Sequence, residues 1–471
     1  MVFNSFSFLF FFAIVLGLYQ LKWSWRARKI MLLGASYWFY AAFNPPFVLV
    51  LWASTVVDWY VAGRMSREEN ARRRHWLWLS LLANLGLLSF FKYGTFLLAN
   101  WTALMAVIGI KFVPLNWNIV LPAGISFYTF QSLSYTIDVF RREIRRPPGF
   151  LDFALFVSFF PQLVAGPIVR ATDFLPQLDE PKQASGAQFG WGLVLVVIGL
   201  FQKITLADAV LAPVANQVYN SALIARTYDT WIGTVAFAGQ ILFDFSGYSH
   251  CAIGIAMCFG FILPDNFRCP YAACGFSDFW RRWHISLSSW LRDYLYIPLG
   301  GNRKGTIRTI SNLMMTMLLG GLWHGASWRF LAWGGIHGFY LVLERGAQAW
   351  AKKIGYKPGR KMLALFIVLT FPLICVTWVF FRASTFRQAY HMVVSMAFTS
   401  LGPMRSDPAM ARTAMLVMAG ALVLQWCMRS TTIEAVWNRA PMAVRSVWLS
   451  GMIFLIATVP VQEQPFIYFQ F

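Results

Sequence analysis

Apolar stretches close to the roughly 20 residues needed to cross a bilayer recur from one end of this chain to the other, and a chain built that way has few folds open to it. Candidate spans fall at about 4–20, 30–43, 46–62, 76–91, 94–110, 117–137, 150–166, 188–204, 232–250, 251–264, 311–323, 327–344, 362–381, 412–428 and 446–461. Several are too short to cross without tilt, local thinning or re-entry. Only 13% of the 471 residues are charged, about half of what soluble domains carry. We therefore expect an all-α integral membrane protein, a single polytopic domain over 1–471 with about 11–13 crossings and further re-entrant and interfacial helices.

The net charge of +21 sits in short runs between the apolar segments: Lys22 to Lys29, Arg64 to Arg74, Arg141 to Arg146 and Lys352 to Lys361. Positive-inside topology produces this distribution, so these runs read as cytoplasmic anchors and not as a nucleic-acid surface. Met1 to Leu18 has no basic leader, and basic residues follow it, so it reads as a retained span whose start faces away from the cytoplasm. Prolines at Asn44-Pro45-Pro46 predict a hairpin. Three apolar segments separate Arg64–Arg74 from Arg141–Arg146, an odd number between two cytoplasmic runs. One of them is expected to be re-entrant or buried in protein. Pro161, Gly166 and Pro167 predict broken helix inside 159–170.

The six cysteines form no tight pair, so neither a zinc site nor a disulfide framework is indicated. No Gly-x-Ser-x-Gly elbow is present, and Ser327 alone is weak evidence for a nucleophile. Two of the six histidines, His324 and His337, lie in apolar sequence, and each is followed by glycine. Hydrocarbon does not solvate an ionisable group, which makes both functional candidates; the plain alternative is a neutral ring satisfied by a neighbouring backbone carbonyl. On one straight helix the two would stand about 20 Å apart on different faces, so either the helix breaks near Gly325 or the rings serve different parts of a path. A neutral imidazole can take the proton of an attacking alcohol. Asp138 and Asp244 read as buried ion-pair members or histidine orienters. Residues 276–303 carry Arg281, Arg282, Trp283, His284, Arg292 and Asn302. They form either an interfacial amphipathic stretch or a wall holding donor phosphates, two readings that are compatible.

Long motifs cover nearly the whole chain: Phe127-Tyr128-Thr129-Phe130-Gln131, Phe159-Phe160-Pro161-Gln162-Leu163, Asp244-Phe245-Ser246-Gly247-Tyr248, Trp280-Arg281-Arg282-Trp283-His284, Arg292-Asp293-Tyr294 and Trp323-His324-Gly325. In these the sequence resembles the membrane-bound O-acyltransferase family, and most closely its alginate O-acetyltransferase membrane subunits. The resemblance implies a ring of helices around a central tunnel. It implies transfer from cytosolic acetyl-CoA, a cosubstrate rather than a bound cofactor, across a bacterial inner membrane to an exopolysaccharide: alginate first, with cellulose or peptidoglycan also open. It further implies periplasmic SGNH-type partners, a polysaccharide acceptor and surrounding lipid, with no metal and no nucleic acid. His324 matches the family's essential histidine and His337 its second recurrent one. His250 stands where an acid would be expected after Gly-Tyr-Ser. The competing reading is a lipid-linked sugar flippase or exporter without acyl chemistry, although no internal repeat supports it.

Overall fold

In the computed structural model the apolar runs become helices. The structure describes residues 1–69, 71–114, 119–220, 226–356, 359–398, 405–460 and 466–467, and among these the regular elements are all helical. Two compact units interleave in sequence: Met1–Leu193 with Ala252–Pro264, and Val194–Cys251 with Asp265–Phe471.

The first unit opens with α1 (Phe6–Tyr19) and α2 (Trp25–Ala41). Ser5 and Ser24 cap them, their hydroxyls accepting from the Phe8 and Ala27 amides. The proline turn leads into α3 (Phe47–Arg67), giving the expected hairpin. One correction follows in α4. The spans at 76–91 and 94–110 are a single helical run, Arg72–Val107. A π-helical turn at Ser89–Tyr93 takes up the irregularity, and Gly94 keeps helical dihedrals. Two helical segments, not three, then lie between the basic runs. The second segment is α5 (Ile125–Phe140), entered through Gly124 at φ 72°. A side chain at Gly124 would meet the Leu163 carbonyl at 2.6 Å, so the left-handed turn and the close approach both require glycine. Part of the 117–137 segment lies outside the described residues. After α6 (Phe150–Ser158) the helix breaks at Phe159, as the prolines predict.

Next come α7 (Gly186–Tyr219) and α8 (Thr227–Cys258), each with residues in both units. The spans at 232–250 and 251–264 are thus corrected to one continuous helix ending at Cys258. Gly247 does not interrupt it. Instead Gly247 lets the helix approach α7, where a side chain at Gly199 would stand 2.5 Å from the Gly247 carbonyl. The second unit continues with α9 (Phe276–Trp280), α10 (Ile285–Leu291), α11 (Thr306–His324), α12 (Trp328–Lys353), α13 (Arg360–Arg382), α14 (Phe386–Ala397), α15 (Pro408–Cys427) and α16 (Met442–Thr458).

Among the described residues, six helices are long and apolar enough to cross a membrane: Phe47–Arg67, Arg72–Val107, Gly186–Tyr219, Thr227–Cys258, Ala364–Arg382 and Pro408–Cys427. Two shorter apolar helices, Phe6–Tyr19 and Met442–Thr458, accompany them. This is a multi-pass membrane protein. The histidine-bearing α11 and α12 are not among the six.

Candidate active site

Helix α11 ends on His324 because Gly325 turns extended, at φ −167° and ψ 150°. Ser327 then caps α12, its hydroxyl accepting from the Arg329 amide at 3.3 Å. Capping accounts for this serine without a nucleophilic role. Of the two geometries left open by the sequence, the break at Gly325 is the one realised. It folds α11 back along α12, and glycines hold the two helices tight. A side chain at Gly321 would lie 2.2 Å from the Phe330 carbonyl, and one at Gly334 would lie 2.2 Å from that of Met317. Backbone atoms cannot yield to such an overlap, so the hairpin tolerates only glycine there.

This hairpin brings both histidine rings to one tryptophan. Trp333 is fully buried, with its ring 4.9 Å from His324 and 4.7 Å from His337, edge-on to both. Trp323 at 5.0 Å and Phe381 at 5.3 Å also wall His324. Phe279 stacks on His337 at 5.9 Å and Trp280 meets it edge-on at 5.1 Å. His337 Nε2 lies 3.0 Å from Thr377 Oγ1, and that hydroxyl donates to the Ile374 carbonyl at 2.7 Å. A hydroxyl has one proton to give, so Thr377 accepts from the imidazole and Nε2 carries the hydrogen. The basic nitrogen is then Nδ1, which has no hydrogen-bond partner among the described residues.

The residues expected to form a donor-phosphate wall do not converge. Trp283 is buried in the core, stacked on Phe279 at 5.7 Å and against Trp378 at 4.9 Å. His284 is buried as well, with a left-handed backbone at φ 42° that turns the chain inward. Its Nδ1 lies 3.0 Å from Asn266 Oδ1, an oxygen that also accepts from Ser286. The His284 ring stands 5.8 Å from Trp323, which places it beside the catalytic candidates and not at a phosphate wall. Arg282 is engaged: Nε binds Asp278 at 3.0 Å and Nη1 donates to the Arg268 and Arg429 carbonyls. Burial alone would raise the Asp278 carboxyl, but the Cys274 amide and the Arg429 and Arg282 guanidiniums outweigh it and hold it below its ordinary range. Arg292 forks onto the neighbouring Asp293. Only Arg281 and Asn302 of the six stand exposed without such a commitment to the core.

Sequence reasoning missed one centre in this unit. Lys203 on α7 lies 2.9 Å from Asp208 and 2.5 Å from Asp244, all three buried. Asp244 also accepts from the Ile467 amide at 2.8 Å. Asp244 is thus an ion-pair member, the plainer of its two readings, and its partner is a lysine. Lys203 carried the same signal as the histidines, an ionisable group inside an apolar run. His250, the departure noted in the sequence, binds Gln202 Oε1 through Nδ1 at 2.9 Å. Among the described residues no cluster of three or more metal-ligating side chains is found, and the six cysteines are free thiols.

Comparison with known proteins settles the class. The membrane-bound O-acyltransferase family model matches residues 76–386. The chain belongs to the membrane-bound O-acyltransferase family. It is 42% identical to a probable alginate O-acetylase of Azotobacter vinelandii, over 84% of this chain and 78% of that protein. It is 38% identical to a peptidoglycan O-acetyltransferase of Helicobacter pylori, over 78% and 73% respectively. A teichoic acid D-alanyltransferase of Bacillus subtilis matches at 26% over 57% of this chain and 70% of that protein. The chain is accordingly an O-acyltransferase, and these relatives do not favour export without acyl chemistry.

Proposed function

We propose that this O-acyltransferase takes acetyl groups from acetyl-CoA on the cytosolic side of a bacterial inner membrane. It passes them to hydroxyls of an exopolysaccharide, alginate in the first instance and cellulose or peptidoglycan as the other acceptors, with periplasmic SGNH-type proteins completing the transfer. The observation that carries this reading is the pair of imidazoles, His324 and His337, brought to one buried tryptophan by a hairpin that only glycine permits. Burying two ionisable rings in the interior of a membrane protein is costly, and His337 keeps a basic nitrogen unused there.

His337 is oriented by Thr377 so that its basic Nδ1 is open. An imidazole in that state removes the proton from the acceptor hydroxyl while the oxygen bonds to the thioester carbonyl carbon. The carbon–sulfur bond then breaks, and the imidazolium returns the proton to the departing thiolate. His324 shares the site from the other side of Trp333 and positions or relays. The Trp333 Nε1–H donates to no described residue and is a candidate donor to the carbonyl oxygen. Exposed Arg281 attracts the donor's phosphates from the cytosolic side, with Asn302 as a further contact. Radiolabelled acetyl-CoA supplied to membranes with and without the protein tests this function. Labelled polymer, or a labelled intermediate, is expected only with the protein; equal labelling in both membranes overturns it.

A further inference from the structure

Helix α9 is only five residues long, yet it supplies Phe279 and Trp280 to the wall of His337. One turn is far below the roughly 12–15 residues at which an isolated helix becomes marginally stable, so contacts from outside must fix those rings. Its own start offers little. The N-cap is Gly275, at φ 91°, and it has no side chain to accept from the first turn.

The missing acceptors come from two neighbouring helices. Thr370 Oγ1 on α13 accepts from the Gly275 amide at 3.0 Å, and Glu344 Oε2 on α12 accepts from the Ser277 amide at 2.8 Å. Gln348 Nε2, one turn further along α12, donates to the other Glu344 oxygen at 2.9 Å and so holds the carboxylate's orientation. A side chain at Gly275 would come within 3.0 Å of Glu344 Oε1. The residue that cannot cap the turn is therefore also the one that lets Glu344 cap it.

Glu344 follows His337 by seven residues, two turns and about 10 Å along the same face of α12. Between them Tyr340 stacks on Phe276 at 4.3 Å. Helix α9 thus meets that one face at three levels: Phe279 and Trp280 on His337, Phe276 on Tyr340, and the Ser277 amide on Glu344. The steps of acyl transfer leave this carboxylate without a part to play.

We propose that Glu344 is a positioning residue for acyl transfer, acting through α9. By accepting from the Ser277 amide it holds Phe279 and Trp280 against the imidazole, which keeps His337 Nδ1 aimed at the acceptor hydroxyl. A hydrogen bond to an ionised acceptor is stronger than one between neutral groups, which suits a carboxylate to pinning so short a helix. The inference rests on the reading of His337 as proton acceptor and adds the group that fixes its surroundings.

Two measurements on the full chain test it. Labelled acetyl transfer in membranes, scaled to the amount of folded protein, gives kcat and the KM for acetyl-CoA. Hydrogen–deuterium exchange across 275–283, on the chain in nanodiscs without acyl donor, reads the hold on α9 directly. Because exchange needs no donor, failure there is separate from failure of the acetyl-transfer assay. In Glu344→Ala we expect kcat to fall about ten-fold with little change in KM, and exchange across 275–283 to quicken. Glu344→Gln keeps a carbonyl acceptor and should restore most of both. Thr370→Val removes only the Gly275 acceptor and should move both the same way by a smaller step, which keeps the test alive if Glu344→Ala does not accumulate. Unchanged kcat in the folded Glu344→Ala protein overturns the proposal and leaves the carboxylate a purely structural cap. A fall in kcat without faster exchange overturns it as well. So does a raised KM at unchanged kcat, which would assign Glu344 to donor docking, or a Gln variant as slow as the Ala variant.

Discussion

Two buried polar centres in this molecule look alike in sequence and differ in what surrounds them. In the first unit, Asp58 is wholly buried on α3 and is saturated by donors: Ser80 Oγ at 2.6 Å and Asn84 Nδ2 at 2.8 and 2.9 Å to its two oxygens. Asn84 in turn accepts from Ser54. In the second unit, His337 is equally buried but is walled by rings, with one hydrogen bond at Nε2 and none at Nδ1 among the described residues. A closed network spends all its hydrogen-bonding capacity on the fold, whereas a ring caged by aromatics keeps a lone pair for a reactant. The lesson is that burial of an ionisable group in a membrane protein marks function only when its partners leave something unused.

The comparison breaks first at His324. The His324→Ala variant should accumulate in the membrane yet lose acetyl transfer by about 10²–10⁴-fold, the usual range for losing a group that takes part in the proton transfer. Polymer acetyl content in a stably expressed variant measures this. Wild-type acetylation there would reduce the aromatic cage to packing.

Asn84→Ala tests the other side. It strips a buried carboxylate of two hydrogen bonds and leaves Ser54 without its acceptor. A loss of about 1–3 kcal/mol in stability is expected. Thermal unfolding in detergent should therefore shift downward while turnover per folded molecule stays near wild type. Loss of turnover without loss of stability would move the first unit's network into the catalytic account.

Thr377→Val sharpens the contrast by a smaller step. Valine keeps the shape and removes the acceptor that fixes the His337 tautomer. The expected loss is about 1 kcal/mol, roughly five-fold in kcat with little change in KM. Thr377→Ser should restore it. Equal activity in the valine variant would mean that Nε2 does not need this partner.

The helical membrane class, the break at 159–170 and the histidine pair were all legible in the sequence, because each depends on local pattern or on chemistry that hydrocarbon forbids. What escaped depends on packing. The π-helical turn at Ser89–Tyr93 joins two apparent spans, and no residue announces it, since the extra residue is absorbed by the helix. Lys203 was visible as a cation in an apolar run, but its partner Asp244 lies on the next helix, and only the Gly199–Gly247 approach makes them neighbours. The misplaced wall has a similar cause. Trp283 and His284 follow arginines at interfacial spacing, yet the left-handed backbone at His284 swings both into the core.

That misplacement supplies the smallest effect and divides two adjacent arginines. Arg281 is exposed, with its side chain 71% accessible and only a distant 4.0 Å approach to Asp278, while Arg282 is 15% accessible and spends its guanidinium on Asp278 and two carbonyls. An exposed cation contributes little to the fold, and its pull on a polyanionic donor is screened by salt. Arg281→Gln should therefore raise the KM for acetyl-CoA by a few-fold at low ionic strength, with the difference shrinking as salt is added, and leave thermal stability unchanged. Arg282→Gln should do the reverse, lowering stability by leaving the buried side of Asp278 less neutralised, with KM little altered in the protein that remains folded. Parallel KM and unfolding measurements on the two variants decide the matter. If Arg282→Gln moves KM while Arg281→Gln does not, the donor approaches from the Asp278 side, and the exposed arginine is only an interfacial anchor.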